Sequence, residues 1–106
     1  MKDHRYIDRI VKYAKKIAQY MDEAKTFLEF QQNDEKVDAV ILNLEQIGET
    51  AKKLSSEAKQ SYPSIDWPKI IGLRNMISHN YEGIRLNIIF DIATINIPEL
   101  LSALDK

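Results

Sequence analysis

Residues 34–58, DEKVDAVILNLEQIGETAKKLSSEA, indicate the fold class of this chain. Apolar side chains recur there every three or four residues, which is the period of an α-helix with one buried face. They are Val37, Val40, Ile41, Leu44, Ile47, Ala51, Leu54 and Ala58. The spacing predicts one long central helix of about six turns. Gly48 costs this helix ~1 kcal/mol relative to alanine, which indicates that another helix or a partner protein approaches closely there.

The segments on either side of this helix also have helical periodicity. Residues 6–21 predict a first helix, and Asp22–Phe30 predict a short second one. Pro63 interrupts the pattern after the central helix, because proline disfavours helical geometry at the residue before it. Asp66 then has the character of an N-cap for a further helix. We therefore predict an all-α fold, a small antiparallel bundle of about five helices forming a single domain over residues 1–106.

Composition narrows the class of protein. The chain has 106 residues, a formal net charge of −1 and no cysteine, so disulfide frameworks and thiolate metal sites are excluded. The charge argues against a nucleic-acid coat protein, and any RNA contact must be local. The basic run Lys12, Lys15 and Lys16 is either such an RNA patch or a solvated helix face. Residues 1–5 lack an apolar signal core, so we expect no secretory leader and a cytoplasmic location.

The final segment, Arg85 to Asp105, is apolar around more than one face. A helix of this kind must be buried nearly all round, which a small domain cannot achieve within one chain. We therefore expect a homodimer. Polar residues and Pro98 interrupt the segment, so we predict no transmembrane helix. Pro98 should kink or split the helix after Thr94.

The reactive residues are concentrated in Gly72–Ile84, GLRNMISHNYEGI. Arg74 offers a fork of donors suited to phosphate, and His79 can transfer a proton near neutral pH. His4, the other histidine, lies among charged residues where we expect it to be exposed. Arginine and histidine together indicate phosphodiester chemistry. In a metal-independent ribonuclease, a base would activate the ribose 2′-hydroxyl and the reaction would leave a 2′,3′-cyclic phosphate.

Helical geometry complicates a site made from one chain. Five positions separate Arg74 from His79, or about 140° around an ideal helix. The long arginine could wrap round, the helix could loosen before Gly83, or two chains could pool their residues across a twofold axis. Tyr81 lies about two turns after Arg74 and either packs or offers a modifiable phenol.

The string Arg74 to Tyr81 resembles the R-x-x-x-x-H-x-Y signature of HepT-like toxins, a branch of the HEPN ribonucleases, and the similarity extends along the whole chain. The resemblance implies a homodimeric toxin of a HepT/MntA (type VII) toxin–antitoxin pair, acting as an RNA endonuclease without cofactor or metal. Its site would lie between protomers, with Arg74 and His79 catalytic and Asn75 and Ser78 supporting. An MntA-type nucleotidyltransferase antitoxin would silence it by transferring AMP to Tyr81.

Some alternatives stay open. Glu45 and Glu49 are supporting candidates, because either could orient Arg74 or touch a partner. The chain could instead be a non-catalytic subunit that binds nucleotide or substrate for a minimal nucleotidyltransferase, or a dimeric scaffold. Relatives often place an acidic or amide residue where this chain has Arg85, so we expect a weak cap on the last helix.

Overall fold

The computed structural model describes residues 3–79 and 85–104, and of Ser78 and His79 the backbone alone. This part of the chain contains helices and no strand, which confirms the all-α prediction. Six helices follow one another: α1 (His4–Asp22), α2 (Phe27–Gln31), α3 (Asp34–Lys52), α4 (Ser56–Gln60), α5 (Trp67–His79) and α6 (Leu86–Leu104).

Helices α1 and α3 form the centre of the bundle and run antiparallel. At one end the Asp3 carboxylate accepts hydrogen bonds from the Ser55 amide at 3.2 Å and the Ser55 hydroxyl at 2.8 Å. At the other end Lys36 and Glu23 form an ion pair. Side chains from both helices are fully buried between these ends, among them Ile10, Ile17, Val40, Leu44 and Ile47. Burying each large aliphatic side chain contributes ~1.5–3 kcal/mol, so this contact is the main stabilising element of the fold.

The predicted central helix is shorter than expected. The helix ends at Lys52, and Leu54 and Ala58 are buried as predicted but belong to a turn and to α4. The cause is Ser55, whose hydroxyl accepts from the Ala58 amide at 3.1 Å and so starts a new helix. The second helix also begins later than predicted, because Thr26 caps it at the Glu29 amide.

Of the kink or split predicted after Thr94, helix α6 shows no split. It continues to Leu104 and instead contains a π-helical segment, Ile92–Asn96, just before the proline. The wider π turn loosens the hydrogen-bond ladder where the proline ring would meet the carbonyl of Thr94. At the other end Arg85 is the N-cap and makes no side-chain capping bond, which confirms the expected weak cap.

The surface of α6 remains largely uncovered. Its length and mean hydropathy of 1.3 would suffice for a membrane span. Only 22% of its apolar 18-residue window is buried, whereas the core helix of a soluble protein is mostly buried. Ile88 and Ile95 are 41% and 53% exposed. Length and composition therefore do not distinguish α6 from a membrane-spanning helix. Its packing along α1 supports the prediction that it is part of a helical bundle.

Helix α5 packs on α3 from outside the α1–α3 pair and carries the reactive stretch. The Asp66 carboxylate accepts from the Lys69 amide at 3.2 Å, which confirms the predicted N-cap. The Trp67 indole donates to the Lys59 carbonyl at 3.1 Å and fastens the start of α5 to α4. These two contacts fix where α5 begins, and hence how far along α3 the reactive residues lie.

Candidate active site

Gly48 is the point of closest approach between α3 and α5. A methyl group built on Gly48 would lie 3.0 Å from Arg74 Cβ, 3.1 Å from Arg74 N and 3.2 Å from the Ile70 carbonyl oxygen. These distances are below the ~3.5–4.0 Å of ordinary carbon contacts. The glycine therefore lets α5 pack closely on α3. This confirms the prediction that another helix of the same chain approaches Gly48. It places the backbone of Arg74 directly against α3.

The next residue of α3 holds the Arg74 side chain. Arg74 Nε lies 2.6 Å from Glu49 Oε1, with 43% and 40% of the two side chains exposed. The Oε1 atom is itself buried and accepts no aligned hydrogen bond from the described part of the chain. The Arg74 guanidinium and the Glu49 carboxylate therefore form an ion pair without a directed hydrogen bond, because the N–H bond does not point at the oxygen. It draws the guanidinium towards α3.

This arrangement leaves the outer end of the guanidinium available. Neither Nη group of Arg74 has a hydrogen-bond or ion-pair partner among the described residues. A guanidinium that is held at Nε can still present both Nη groups to two phosphate oxygens. The geometry therefore suits recognition of a phosphodiester and stabilisation of negative charge on it.

The other predicted site residues are less tightly defined. Asn75 is exposed next to Arg74. Glu45 is half-exposed one turn before Glu49 and takes part in none of the ion pairs between described residues. The side chains of Ser78 and His79 and all of Tyr81 lie outside the described residues, so their roles stay predictions. His4 is exposed, as expected.

Sequence reasoning overlooked Gly72. Unlike Gly48, it has no atom within 4 Å of a methyl group built on it, so nothing in the described chain accounts for its cost to the helix. Gly72, Asn75, Met76 and the position of His79 recur at i, i+3, i+4 and i+7, and so share one side of α5. A glycine at mid-helix without a crowded neighbour was the available signal.

One cavity in the described part of the chain is separate from these residues. A groove of about 560 Å³ runs between α5 and α6, with Ile47, Ile70, Leu73, Ile97 and Leu100 among its lining residues, and neither Arg74 nor Glu49 lines it. The described residues also contain no cluster of three or more histidine or carboxylate side chains that could hold a metal ion. Within the described residues, Arg74 and its α3 neighbours are therefore the candidates for the predicted chemistry.

Comparison with known proteins agrees with this chemistry. The family described as "Ribonuclease HepT-like" matches residues 6–106. A Methanocaldococcus jannaschii protein named as a candidate RNase is 35% identical over 81 residues, which cover 76% of this chain and 67% of the relative. A second candidate RNase of that organism is 29% identical, covering 85% and 79%. A Thermococcus cleftensis protein named "Probable ribonuclease HepT" is 31% identical, covering 64% and 62%. No solved structure matches significantly.

Proposed function

The chain belongs to the HepT-like ribonuclease family, and we propose that its RNA-cleaving site is assembled from two copies of it. We also propose that it is the toxin of a toxin–antitoxin pair and is silenced by AMP transfer to Tyr81. The family match favours an endoribonuclease over a non-catalytic nucleotide-binding subunit or a scaffold.

The observation that carries the two-copy site is the position of Arg74 on an unbroken helix. Helix α5 stays α-helical from Trp67 to His79, which removes the alternative of a loosened helix between Arg74 and His79. The two positions are therefore about 140° apart around the axis. Since Nε of Arg74 lies against Glu49 on α3, the arginine does not wrap round α5. This geometry favours a second copy as the source of a histidine opposite Arg74.

The proposed reaction uses one histidine from each copy. His79 of one copy takes the proton from the ribose 2′-hydroxyl, and the resulting oxygen attacks the adjacent phosphorus. Arg74 stabilises the charge that develops on the phosphoryl oxygens. The bond to the 5′-oxygen breaks, and the second His79 in its protonated form gives that oxygen a proton. The products are a 2′,3′-cyclic phosphate and a free 5′-hydroxyl.

Two surfaces favour contact with a second copy. The side of α5 that contains Gly72 has room for close approach of another helix. Small residues serve this purpose at helix interfaces because they let two backbones come close together. Ile88 and Ile95 of α6, seven residues apart, add exposed apolar area.

Mixing inactive variants tests the two-copy site. Arg74→Ala and His79→Ala should each abolish RNA cleavage. Co-expressed with different tags, they form a mixed dimer that has one histidine, so under the proposed reaction it should stay inactive. Recovery of up to about a quarter of wild-type activity would instead show that one histidine suffices and comes from the other copy. If both histidines serve one site, wild type diluted equally with His79→Ala should fall to about a quarter of its activity. No recovery, together with a linear dilution curve, would overturn the two-copy site once native mass spectrometry confirms mixed dimers.

A growth assay tests the toxin assignment, and intact-mass measurement tests silencing by AMP transfer to Tyr81. Expression of the chain should arrest growth, and His79→Ala should relieve the arrest. Incubation with an MntA-type nucleotidyltransferase and ATP should add the mass of AMP to the chain but not to Tyr81→Phe, and should stop RNA cleavage. A mass gain that survives Tyr81→Phe removes Tyr81 from the proposal.

A further inference from the structure

Helix α1 carries a surface that the proposed chemistry does not use. Arg5, Arg9, Lys12 and Lys16 are all exposed and are spaced by four, three and four residues. On an α-helix these positions fall within about 60° of each other and extend ~17 Å along the axis. We call them the basic stripe. Five cations against two acids give α1 a net charge of +3, in a chain whose formal net charge is −1.

Tyrosines flank the basic stripe on one side. Tyr6, Tyr13 and Tyr20 recur every seven residues, lie about 70° round the helix from the stripe, and are half-buried against the core. The Cζ atoms of Arg5 and Arg9 lie 4.8 and 5.8 Å from the centre of the Tyr6 ring. Cation–π contact at this range orders flexible arginines. The surface thus combines ordered cations with aromatic rings.

The charges of the basic stripe lie where they destabilise helix α1. Helices α2, α3 and α4 have an acidic residue in the first turn, and α3 and α4 have a lysine in the last, as the helix dipole favours. Helix α1 has neither, and α5 and α6 also lack an acidic residue in the first turn. The pairs Arg5–Arg9 and Lys12–Lys16 also set like charges four residues apart, which costs ~0.2–0.5 kcal/mol each.

No ion pair between described residues offsets this charge. The two ion pairs between described residues, Lys36–Glu23 and Arg74–Glu49, include none of the α1 cations. A solvated surface helix of ordinary kind mixes both signs along its face. Asp8 is exposed four residues before Lys12 and borders the stripe, where it offsets part of the repulsion, while the four stripe residues themselves carry one sign. Clustered cations of this kind are typical of a surface that meets a polyanion.

We propose that the basic stripe and its tyrosine flank bind the phosphate backbone and bases of single-stranded RNA outside the cleavage site. The proposal rests on the proposed ribonuclease function only for its choice of polyanion. Regularly spaced cations suit successive phosphates, and half-buried rings or guanidinium planes can stack on unpaired bases. This surface would hold a long RNA while the composite site cleaves it.

Matched neutralisations test the proposal. The stripe variant is Arg9→Gln/Lys12→Gln/Lys16→Gln. The control is Lys25→Gln/Lys52→Gln/Lys53→Gln, which removes the same charge from exposed lysines elsewhere. Fluorescence anisotropy with a labelled RNA of about 20 nucleotides, in a His79→Ala background, should show about tenfold weaker binding for the stripe variant. The slope of log K against log salt should fall in magnitude by about 2 for the stripe variant and stay unchanged for the control, if the three contacts are to phosphates.

Cleavage kinetics supply an independent measurement. With His79 intact, the stripe variant should raise KM for the long RNA about tenfold and leave kcat within twofold, since the stripe does not touch the reacting phosphate. Cleavage of an RNA of about four nucleotides should not change, because it is too short to occupy both surfaces. If both triple variants weaken binding equally, or neither does, the proposal is overturned.

Further experiments distinguish RNA from other polyanions as the ligand of the stripe, and test RNA binding separately from the proposed ribonuclease function. Loss of binding to phosphatidylglycerol vesicles with unchanged RNA affinity would overturn the proposal in favour of a membrane surface. Single-stranded DNA of the same length should bind in a stripe-dependent way if phosphates dominate, and more weakly than RNA if the 2′-hydroxyl is also read. Stripe-dependent RNA binding by a chain that cleaves no RNA would support this surface and refute the proposed ribonuclease mechanism. The single variant Lys12→Gln changes one exposed side chain, which guards against misfolding of the triple variant, and should lower the magnitude of the salt slope by about 0.7.

Discussion

Replacing Gly48 by alanine should disturb the reactive arginine from the opposite helix. The new methyl would lie 3.0 Å from Arg74 Cβ and 3.1 Å from Arg74 N, so the atoms in the way belong to the backbone and to the start of the side chain. Neither can rotate aside. Helix α5 must therefore shift by about 0.5 Å to restore ordinary contacts.

Two opposing contributions set the effect on stability. Overpacking of this size costs ~1–3 kcal/mol, and alanine gains ~1 kcal/mol over glycine in a helix. The net effect on the free energy of unfolding should be a loss of about 0–2 kcal/mol, or up to about 15 °C in melting temperature for a domain of this size. Activity should suffer more. A shift of ~1 Å in a positioned group can cost about 100-fold, so half that shift predicts roughly a tenfold lower kcat.

The assay is urea unfolding followed by single-turnover RNA cleavage under conditions where the variant is folded. Gly72→Ala is the matched control, because its methyl meets no atom of the described residues within 4 Å and so reports helix propensity within one chain. It should raise the unfolding free energy of the dilute chain by up to ~1 kcal/mol. If Gly48→Ala stabilises the chain as much as Gly72→Ala and cleaves RNA at the wild-type rate, the packing argument is refuted.

Three further outcomes follow from the same contacts. Glu49→Gln keeps the size of the side chain that lies 2.6 Å from Arg74 Nε but removes its charge, so kcat should fall about 3- to 30-fold. The free energy of unfolding should fall by less than ~1 kcal/mol, because the pair is half-exposed. An unchanged kcat would show that Glu49 does not position Arg74. Asp3→Ala removes both acceptors of Ser55 at a buried site, so thermal unfolding should reveal a loss of ~1–3 kcal/mol, and a loss below ~0.5 kcal/mol would contradict the anchoring role. Gly72→Ala should weaken self-association at least tenfold by sedimentation if a second α5 packs there, whereas an unchanged dimer would place the interface elsewhere.

Local patterns in the sequence determined the type of fold and the starting points of some helices. Apolar spacing identified α1 and α3 as amphipathic helices because burial of one face is imposed by the helical period alone. The Asp66 cap was predictable for a similar reason, since its acceptor and the Lys69 amide are three residues apart. The reactive residues were also local, because Arg74 and His79 lie within one helix and their chemistry belongs to the side chains themselves.

Only the tertiary structure decided features that depend on residues far apart in the chain. Helix α3 ends at Lys52, and Asp3 reaches Ser55 across 52 positions at the start of the next helix, a contact that no periodicity encodes. The choice between Glu45 and Glu49 has the same character: both suit an arginine chemically, but Gly48 brings α5 to its closest point one residue before Glu49. The sequence offered Arg74 and His79 as candidates for chemistry on RNA. The packing of α5 on α3 decided which carboxylate meets Arg74, because helix crossings are set by the shape of the whole contact surface.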